Sequence, residues 1–204
     1  MPIPLVIIPF ALVGLSAART RSRTGRAGEG KVRSNREDWQ DDGVTDALLA
    51  RISDDGIDLL TSLGVPYVYG AGSPASPFPG GSRSTIAPAE FAQKVGWDCA
   101  GHAQAVAVRL GNLSSKAGDR GSKALSVAGS PVAVGSQRLG DLAFYGTPVS
   151  HVMTVLTDPD ETGDSWVIGA SGGTSKTFGQ VPQARIKVFR RQGYRGDFRF
   201  FRRL

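Results

Sequence analysis

The chain has 204 residues, of which 40% are hydrophobic and 21% charged, with 27 Gly and 12 Pro. This length holds one domain and an appendage rather than two full domains. The composition excludes wholesale disorder, collagen and coiled coil. A single cysteine excludes an internal disulfide and a four-cysteine zinc site, and two histidines leave little room for a metal centre. We therefore expect no metal or other cofactor, and the lone thiol becomes a candidate nucleophile.

The net charge of +6 is unevenly distributed along the chain. Residues 19–36 contain seven Lys or Arg and residues 185–204 contain eight, whereas most carboxylates lie between them. Basic ends favour a polyanionic surface such as anionic lipid, a cell-wall polymer or nucleic acid, and solvated tails without a partner are the alternative. Nucleic acid is the least favoured of these partners, because no zinc, helix-turn-helix or aromatic RNA-binding pattern accompanies the arginines.

Residues 1–18 form a hydrophobic segment that resembles a signal or an anchor. Its uncharged run is shorter than the about 20 residues of a spanning helix. Ser16-Ala17-Ala18 would pass as a cleavage site, but Arg19 and Arg21 follow the apolar run and no basic residue precedes it. The positive-inside rule then favours an anchor with a translocated amino terminus. A membrane-associated segment, a cleaved signal and a peg that docks into a larger assembly are the interpretations, in that order.

A basic flexible linker is predicted over residues 19–43, because this segment has no apolar periodicity. The folded domain is predicted over 44–204. Its first part, Val44–Leu63, has largely helical spacing with a break at Asp54-Asp55-Gly56, and Gly64 ends it. Residues 71–88 are rich in Gly, Ser and Pro and predict a long loop without regular structure, of the kind that often borders a functional site.

A second helix is predicted after Asp98-Cys99 and ends at Gly111-Asn112. Later segments are rich in β-branched and aromatic residues and predict strands at Leu142–Tyr145, Val149–Thr157, Ser165–Ala170, Arg185–Phe189 and Phe198–Phe201. Helices first and strands later, without βαβ alternation, predict an α+β domain with N-terminal helices packed on an antiparallel β-sheet.

The two residues that suggest chemistry are Cys99 and His151. Cys99 lies at the start of the helical pattern, where unpaired backbone N–H groups and the helix dipole lower the pKa of a thiol and favour the thiolate. His151 lies inside a strand pattern, where a histidine is often a satisfied core residue. A lone cysteine combined with a distant histidine is nevertheless a candidate nucleophile and base.

Four sequence blocks resemble the NlpC family of papain-like cell-wall cysteine peptidases, in the family's order. They are Gly64-Val65-Pro66-Tyr67-Val68-Tyr69-Gly70, Trp97-Asp98-Cys99-Ala100-Gly101, Gly140-Asp141-Leu142-Ala143-Phe144-Tyr145 and Ser150-His151-Val152. The resemblance covers roughly residues 44–204. It implies a papain-like core and an endopeptidase that cuts peptidoglycan stem peptides at a D-glutamyl–diamino acid bond. It also implies a place in the cell envelope or outside the cell, as a tethered, secreted or endolysin-like protein.

The resemblance also implies the site residues. Cys99 is the nucleophile and His151 the base, Asp98 holds the ammonium group of a substrate peptide, and Tyr67 lies beside the cysteine and steadies the oxyanion. Each of the last two has a structural alternative: Asp98 as the N-cap of a helix, and Tyr67 as a core aromatic. His102 follows Cys99 by three residues and is expected to be exposed or to cap the helix.

The sequence departs from the family pattern at three places. Ala100 stands where serine is usual, and the connection between Gly70 and Trp97 is longer than usual and is expected to form a wall of the cleft. Gly169 occupies the position of the polar residue that normally orients the histidine, and the candidate substitutes are a backbone carbonyl, a water, Ser171 or another nearby polar residue. Losing the orienting group weakens catalysis without removing the Cys–His pair.

Two alternatives to the peptidase follow from these departures. One is a catalytically weak or inactive wall-binding or structural component of a virion or injection apparatus, which would belong to a phage particle. The other is an amidase or acyltransferase that uses the same Cys–His pair on a different amide or ester.

Overall fold

The computed structural model describes residues 39–72, 81–92 and 95–204, apart from the side chain of Ser82. The hydrophobic segment predicted over residues 1–18 and most of the predicted linker lie outside these ranges. Within them, no helix combines the length and the apolar character that crossing a membrane requires.

The helices of the N-terminal part are short and individually capped. α1 spans Asp46–Leu49 and α2 spans Asp54–Leu59, followed by a 3-10 turn at Leu60–Ser62. Asp54-Asp55-Gly56 begins α2 instead of breaking the helix as predicted. The reason is that the Ser53 side chain accepts a hydrogen bond from the backbone N–H of Gly56, 3.3 Å away, which makes Ser53 the N-cap.

The domain is built around a six-stranded antiparallel sheet with the order β3-β8-β4-β5-β6-β7. Its strands are β3 Ser130–Val132, β4 Leu142–Tyr145, β5 His151–Val155, β6 Trp166–Ser171, β7 Arg185–Arg190 and β8 Phe198–Arg203. The remaining helices are α3 Cys99–Arg109, α4 Ser122–Leu125 and α5 Arg191–Tyr194. The predicted α+β class, with helices on an antiparallel sheet, is therefore confirmed.

The loop predicted over residues 71–88 is partly structured. Ser82–Arg83 forms β1, which pairs antiparallel with β2 at Val95–Gly96. Downstream of β1, the ring of Phe91 stacks on that of Phe178 with centroids 6.1 Å apart. The prediction of no regular structure was wrong at β1, because a two-residue strand leaves no periodicity in the sequence.

The sheet has a hydrophobic cluster on each face. On one face, α3 packs against β5 and β6, and its apolar residues join side chains of the N-terminal helices and the sheet, among them Leu59, Leu60, Val106, Ile168 and Ile186. The other face buries Ala143, Tyr145, Met153, Val155, Val167 and Phe201, with Phe189, Tyr194 and Phe198 packed over them. This second cluster places α5 beside the start of β5.

Residues 39–43 belong to the folded unit, although the linker was predicted to extend through them. Trp39 packs against the core, and the fully buried carboxylate of Asp42 pairs with the guanidinium of Arg185. The carbonyl of Asp42 accepts a hydrogen bond from the backbone N–H of Val188 at 2.7 Å. Gly43, with a φ of +94°, passes so close to Val188 that a Cβ would lie 2.1 Å from its carbonyl oxygen.

These contacts also cover one edge of the sheet. The outer side of β7 forms backbone hydrogen bonds with the chain between Asp42 and Pro66. The N–H group of Val188 and both backbone groups of Ile186 take part, and Pro66 forms an isolated β-bridge with Arg185. The opposite edge strand, β3, has three residues, and Pro131 is the middle one.

The basic residues near the C-terminus are largely engaged within the fold. Five of the eight in residues 185–204 form ion pairs: Arg185 with Asp42, Arg190 with Asp160 and Asp164, Arg191 with Asp164, Arg195 with Asp197, and Arg203 with Asp141. The charge segregation seen in the sequence is therefore partly cancelled in space, because acidic residues of the middle segment lie against the basic end.

Candidate active site

Cys99 is the first residue of α3, and Asp98 is its N-cap. The Asp98 Oδ1 atom accepts a hydrogen bond from the backbone N–H of Gly101 at 2.7 Å. The capping role that the sequence offered as the structural alternative for Asp98 is thus confirmed. A capped N-terminus holds the cysteine at a defined point of the helix.

Close packing fixes the start of α3 against the chain at residues 71–72. A Cβ on Gly101 would lie 2.5 Å from the carbonyl oxygen of Ala71 and 2.5 Å from the Cα atom of Gly72. The backbone N–H of Asp98 also donates to the Ala71 carbonyl at 3.0 Å. Glycine at position 101 therefore permits the approach that positions the thiol.

The thiol of Cys99 is buried, with 8% of the residue exposed, and packs in one cluster with Val152. Burial raises its pKa to about 12, the negative charge of Asp98 adds to the rise, and the backbone N–H of Val152 opposes it. The pKa lowering expected from the helix dipole was therefore wrong for this arrangement, since desolvation outweighs the dipole. The effect of the Val152 N–H places the sulfur beside the residue that follows His151.

His151 is the first residue of β5 and is also buried, with 8% exposed. It lies opposite Tyr145 in the register of β4 and β5, with ring centroids 5.9 Å apart. Its Nε2 atom lies 2.9 Å from the hydroxyl oxygen of Tyr194. Burial lowers the pKa of His151 to about 4, and the positive charge of Arg195 lowers it further, so the ring is neutral at pH 7.

Tyr194 links His151 to Ser171. Its hydroxyl oxygen lies 2.9 Å from the Ser171 Oγ atom as well as 2.9 Å from the histidine. Ser171, the predicted substitute for the third polar residue, therefore reaches the histidine through a tyrosine. The charge of Cys99 is among the causes that raise the pKa of Tyr194, so this tyrosine lies close to the thiol as well. Tyr194 belongs to none of the sequence blocks and was missed.

Gly169 leaves the position of the orienting side chain to the thioether of Met153. A Cβ at this position would lie 2.6 Å from the Sδ atom of Met153 on β5. Met153 is fully buried, so its thioether fills the space beside Gly169. A larger residue there would require the Met153 thioether to move.

Tyr67 is buried against Trp97, two residues before the thiol. Its pKa is raised well above the usual range by burial first and then by the charges of Cys99 and Asp98. It forms an isolated parallel bridge with Trp97, and its ring packs against Gly173, where a Cβ would lie 2.2 Å from the Cδ1 atom. The phenol is therefore buried and protonated at neutral pH, and the charges of Cys99 and Asp98 act on it.

The carboxyl group of Asp98 is partly desolvated. Burial raises its pKa to about 6, the charge of Asp119 adds to the rise, and backbone N–H groups of Gly101, Gly70 and Ala100 oppose it. Above this pH the group is an anion at the same end of α3 as the thiol.

His102 faces the core and takes no part in the site. Its Nε2 atom lies 3.0 Å from the Ser62 Oγ atom, and its ring meets the edge of Trp97 with centroids 5.5 Å apart. The expectation of an exposed or capping histidine was wrong, because His102 is fully buried. Within the described part of the chain, no three His, Cys, Asp or Glu residues are grouped so that they could hold a metal ion.

Solved structures similar to this chain are NlpC/P60 domain proteins. The P60 domain of an antigen from M. avium subspecies paratuberculosis has 22% identity and a TM-score of 0.49, over 73% of this chain and 90% of that one. The peptidoglycan hydrolase RipB from Mycobacterium tuberculosis has 22% identity and a TM-score of 0.49, over 78% and 68%. A NlpC/P60 family protein from Bacillus cereus has 20% identity and a TM-score of 0.45, over 72% and 39%. No protein-family model and no curated protein matches this chain.

Proposed function

We propose that the protein is a cysteine peptidase that hydrolyses peptidoglycan stem peptides, at the bond between a D-glutamyl residue and a diamino acid. The observation that supports it most directly is the placement of the chain's single thiol. Cys99 lies at a helix N-terminus beside Val152, the neighbour of His151, and its ionisation would raise the pKa of both Tyr194 and Tyr67.

The catalytic step in this proposal begins from a neutral pair. With a pKa of about 12 for the thiol and about 4 for the imidazole, Cys99 and His151 are both uncharged at pH 7. His151 takes the thiol proton as the sulfur attacks the carbonyl carbon of the scissile amide. The imidazolium then gives that proton to the departing amine and leaves a thioester on Cys99. Water, deprotonated by the same histidine, hydrolyses the thioester and restores the thiol.

Tyr67 is suited to stabilising the tetrahedral intermediate. Because its pKa is raised well above the usual range, the hydroxyl remains protonated and donates a hydrogen bond to the developing oxyanion. The backbone N–H of Cys99, at the positive end of α3, is a second donor of the kind that such intermediates need.

Asp98 is suited to holding the free amino group of a stem peptide. Its Oδ1 atom caps α3 through the backbone N–H of Gly101, so the carboxyl group lies at the helix end that carries the thiol. As an anion above a pH of about 6, it offers a charge-assisted hydrogen bond to an ammonium group next to the thiol.

The test is cleavage of defined muropeptides by the full chain, followed by mass spectrometry of the products. We expect a fragment pair from cleavage after D-glutamate with the wild type, and a loss of at least about 10³-fold with Cys99→Ala or His151→Ala. Cleavage that persists in Cys99→Ala, or products from another amide or ester, would contradict the proposal. The latter outcome would indicate the amidase or acyltransferase alternative.

A wall-binding component without turnover is the second candidate function. It is favoured by the buried and neutral thiol, since a reactive cysteine usually lies in a partly exposed, electropositive environment. Retained sedimentation with intact wall sacculi, without any cleavage, would indicate this role in a virion or injection apparatus.

Both candidate functions place the protein in the cell envelope, outside the cell or in a phage particle. In the same proposal, residues 1–18 attach it to a membrane or a larger assembly, and the basic residues 19–36 contact anionic wall polymers.

A further inference from the structure

We propose that Tyr194 is the residue that positions His151, in place of the polar side chain that Gly169 cannot supply. It would act through the histidine, which makes it a positioning residue. The expected effect of Tyr194 on kcat rests on the proposed peptidase function. The expected tautomer of His151 does not depend on that function.

The proposal starts from the hydrogen bonds of the tyrosine hydroxyl. A phenol has one proton to donate and can accept another hydrogen bond on its oxygen. With the Ser171 Oγ atom and the His151 Nε2 atom each 2.9 Å away, one arrangement satisfies a histidine base. Tyr194 donates to Ser171 and accepts from an Nε2–H group of the histidine.

This arrangement fixes the tautomer of the ring. A neutral imidazole has one protonated and one unprotonated nitrogen, and the hydrogen bond at one nitrogen decides which is which. If Nε2 carries the proton, Nδ1 keeps its lone pair and is the atom that can take the proton of Cys99. The opposite direction, with Tyr194 donating to Nε2, would leave Nδ1 protonated and unable to act as base.

The tyrosine is held rigidly enough for this role. Its ring lies 4.4 Å from that of Phe189 and meets Tyr145 edge-on at 5.3 Å, both between centroids. Phe189 lies on β7 and Tyr145 on β4, so two strands on opposite sides of β5 and β6 clamp the aromatic ring of α5. The hydroxyl therefore has a fixed direction toward β5.

The strand β6, next to the histidine strand β5, carries glycine at the position where the orienting side chain is usual. The usual position on β6 is Gly169, and the Met153 thioether occupies the adjacent space. Ser171, also on β6, is bonded to the tyrosine hydroxyl. The side chain of Tyr194, entering from α5, reaches the Nε2 atom of His151 at 2.9 Å.

The experiment reads the tautomer directly in the full chain labelled with ¹⁵N-histidine. The chain contains only two histidines, so the spectrum has two imidazole systems, and His102 serves as an internal reference. We expect the wild type at neutral pH to show His151 protonated at Nε2. In Tyr194→Phe, which keeps the ring and removes the hydroxyl, we expect a mixture of tautomers at His151 and an unchanged His102.

The matched control is Tyr145→Phe. Tyr145 touches the same histidine ring and its hydroxyl is buried, but this hydroxyl makes no hydrogen bond to any residue in the described ranges. We expect its loss to leave the His151 tautomer unchanged. An Nδ1–H tautomer in the wild type, or the same spectrum in Tyr194→Phe and wild type, would overturn the proposal.

Kinetics separates positioning from substrate binding. With a cleavable muropeptide, Tyr194→Phe is expected to lower kcat about 10- to 100-fold at unchanged KM, because the base is misaligned while the substrate contacts remain. Ser171→Ala is expected to have a smaller effect in the same direction. A rise in KM without a fall in kcat would contradict a positioning role. A wild type without turnover that still shows the tautomer change would reject the peptidase and keep the assignment of Tyr194.

Discussion

His102 and His151 are the two histidines of the chain, and burial lowers the pKa of both, to about 3 and about 4. The unfolded chain therefore binds protons near pH 6.5 that the folded chain does not bind until lower pH. It follows that the free energy of unfolding falls as the pH is lowered from about 6.5 toward 4. Asp98 opposes this trend, since its raised pKa of about 6 makes the folded state take up a proton first. Because two histidines lower the free energy of unfolding and one aspartate raises it, the net change on acidification is a fall.

The contribution of His102 can be isolated with His102→Gln, whose amide keeps a polar group toward Ser62 and does not titrate. We expect this variant to lose about 1.4 kcal/mol per pH unit of the wild-type slope between about pH 6 and 4. Urea unfolding at a series of pH values measures the slope. An unchanged slope in the variant would mean that His102 is protonated in the folded state and that burial does not control its charge.

At the scale of single residues, the sequence identifies Cys99 and His151 because they are the unique thiol and one of two imidazoles. It could not identify Tyr194, because the link from a tyrosine on α5 to a histidine on β5 depends on how the strands are ordered. Nor could the sequence predict the raised pKa of the thiol, because a helix N-terminus can be predicted from a local sequence pattern and the burial of a side chain cannot.

At the scale of elements, Asp98 caps the N-terminus of α3, and the proposed function gives it a second role as the site for an ammonium group. Asp98→Asn keeps the capping oxygen and removes the charge, whereas Asp98→Ala removes both. We expect Asn to change the free energy of unfolding by less than about 0.5 kcal/mol and Ala to lower it by about 1 kcal/mol. Both are expected to raise KM for stem peptides with a free amino terminus.

Thermal unfolding and steady-state kinetics on the two variants distinguish these roles, with an N-acetylated peptide as the control substrate. The KM for the acetylated peptide should be the same in wild type and Asp98→Asn. If the Asp98→Asn variant has the wild-type KM for both peptides, Asp98 serves only as the helix cap.

The longer helices and strands could be predicted from the sequence, whereas most of the shortest ones could not. Strands β4 to β8 stand out as runs of β-branched and aromatic residues, and α3 is long enough for three turns of helical periodicity. The elements that were missed, β1, β2, β3, α4 and α5, have two to four residues each. Elements this short form because tertiary contacts favour them, so a sequence pattern does not reveal them.

At the scale of the whole molecule, Trp39 and Asp42 attach the start of the folded unit to β7. We expect a chain that begins at Val44 to be less stable than one that begins at Glu37, by about 3 to 5 kcal/mol, because it leaves Arg185 without its buried partner. Thermal or urea unfolding of the two chains measures the difference. Asp42→Asn in the longer chain should reproduce much of the loss, and equal stability of the two chains would show that residues 39–43 do not stabilise the domain.

The edges of the sheet determine whether copies of the protein that are concentrated on one surface can pair through their strands. Exposed strand edges invite strands of neighbouring molecules and lead to aggregation. Here the segment from Asp42 to Pro66 occupies the β7 edge, and Pro131 interrupts a β3 edge of only three residues. Molecules gathered at high density on a polymer would then remain separate folded units, and a partner that assembles with them would have to bind side chains or loops, since neither edge offers it a strand to extend.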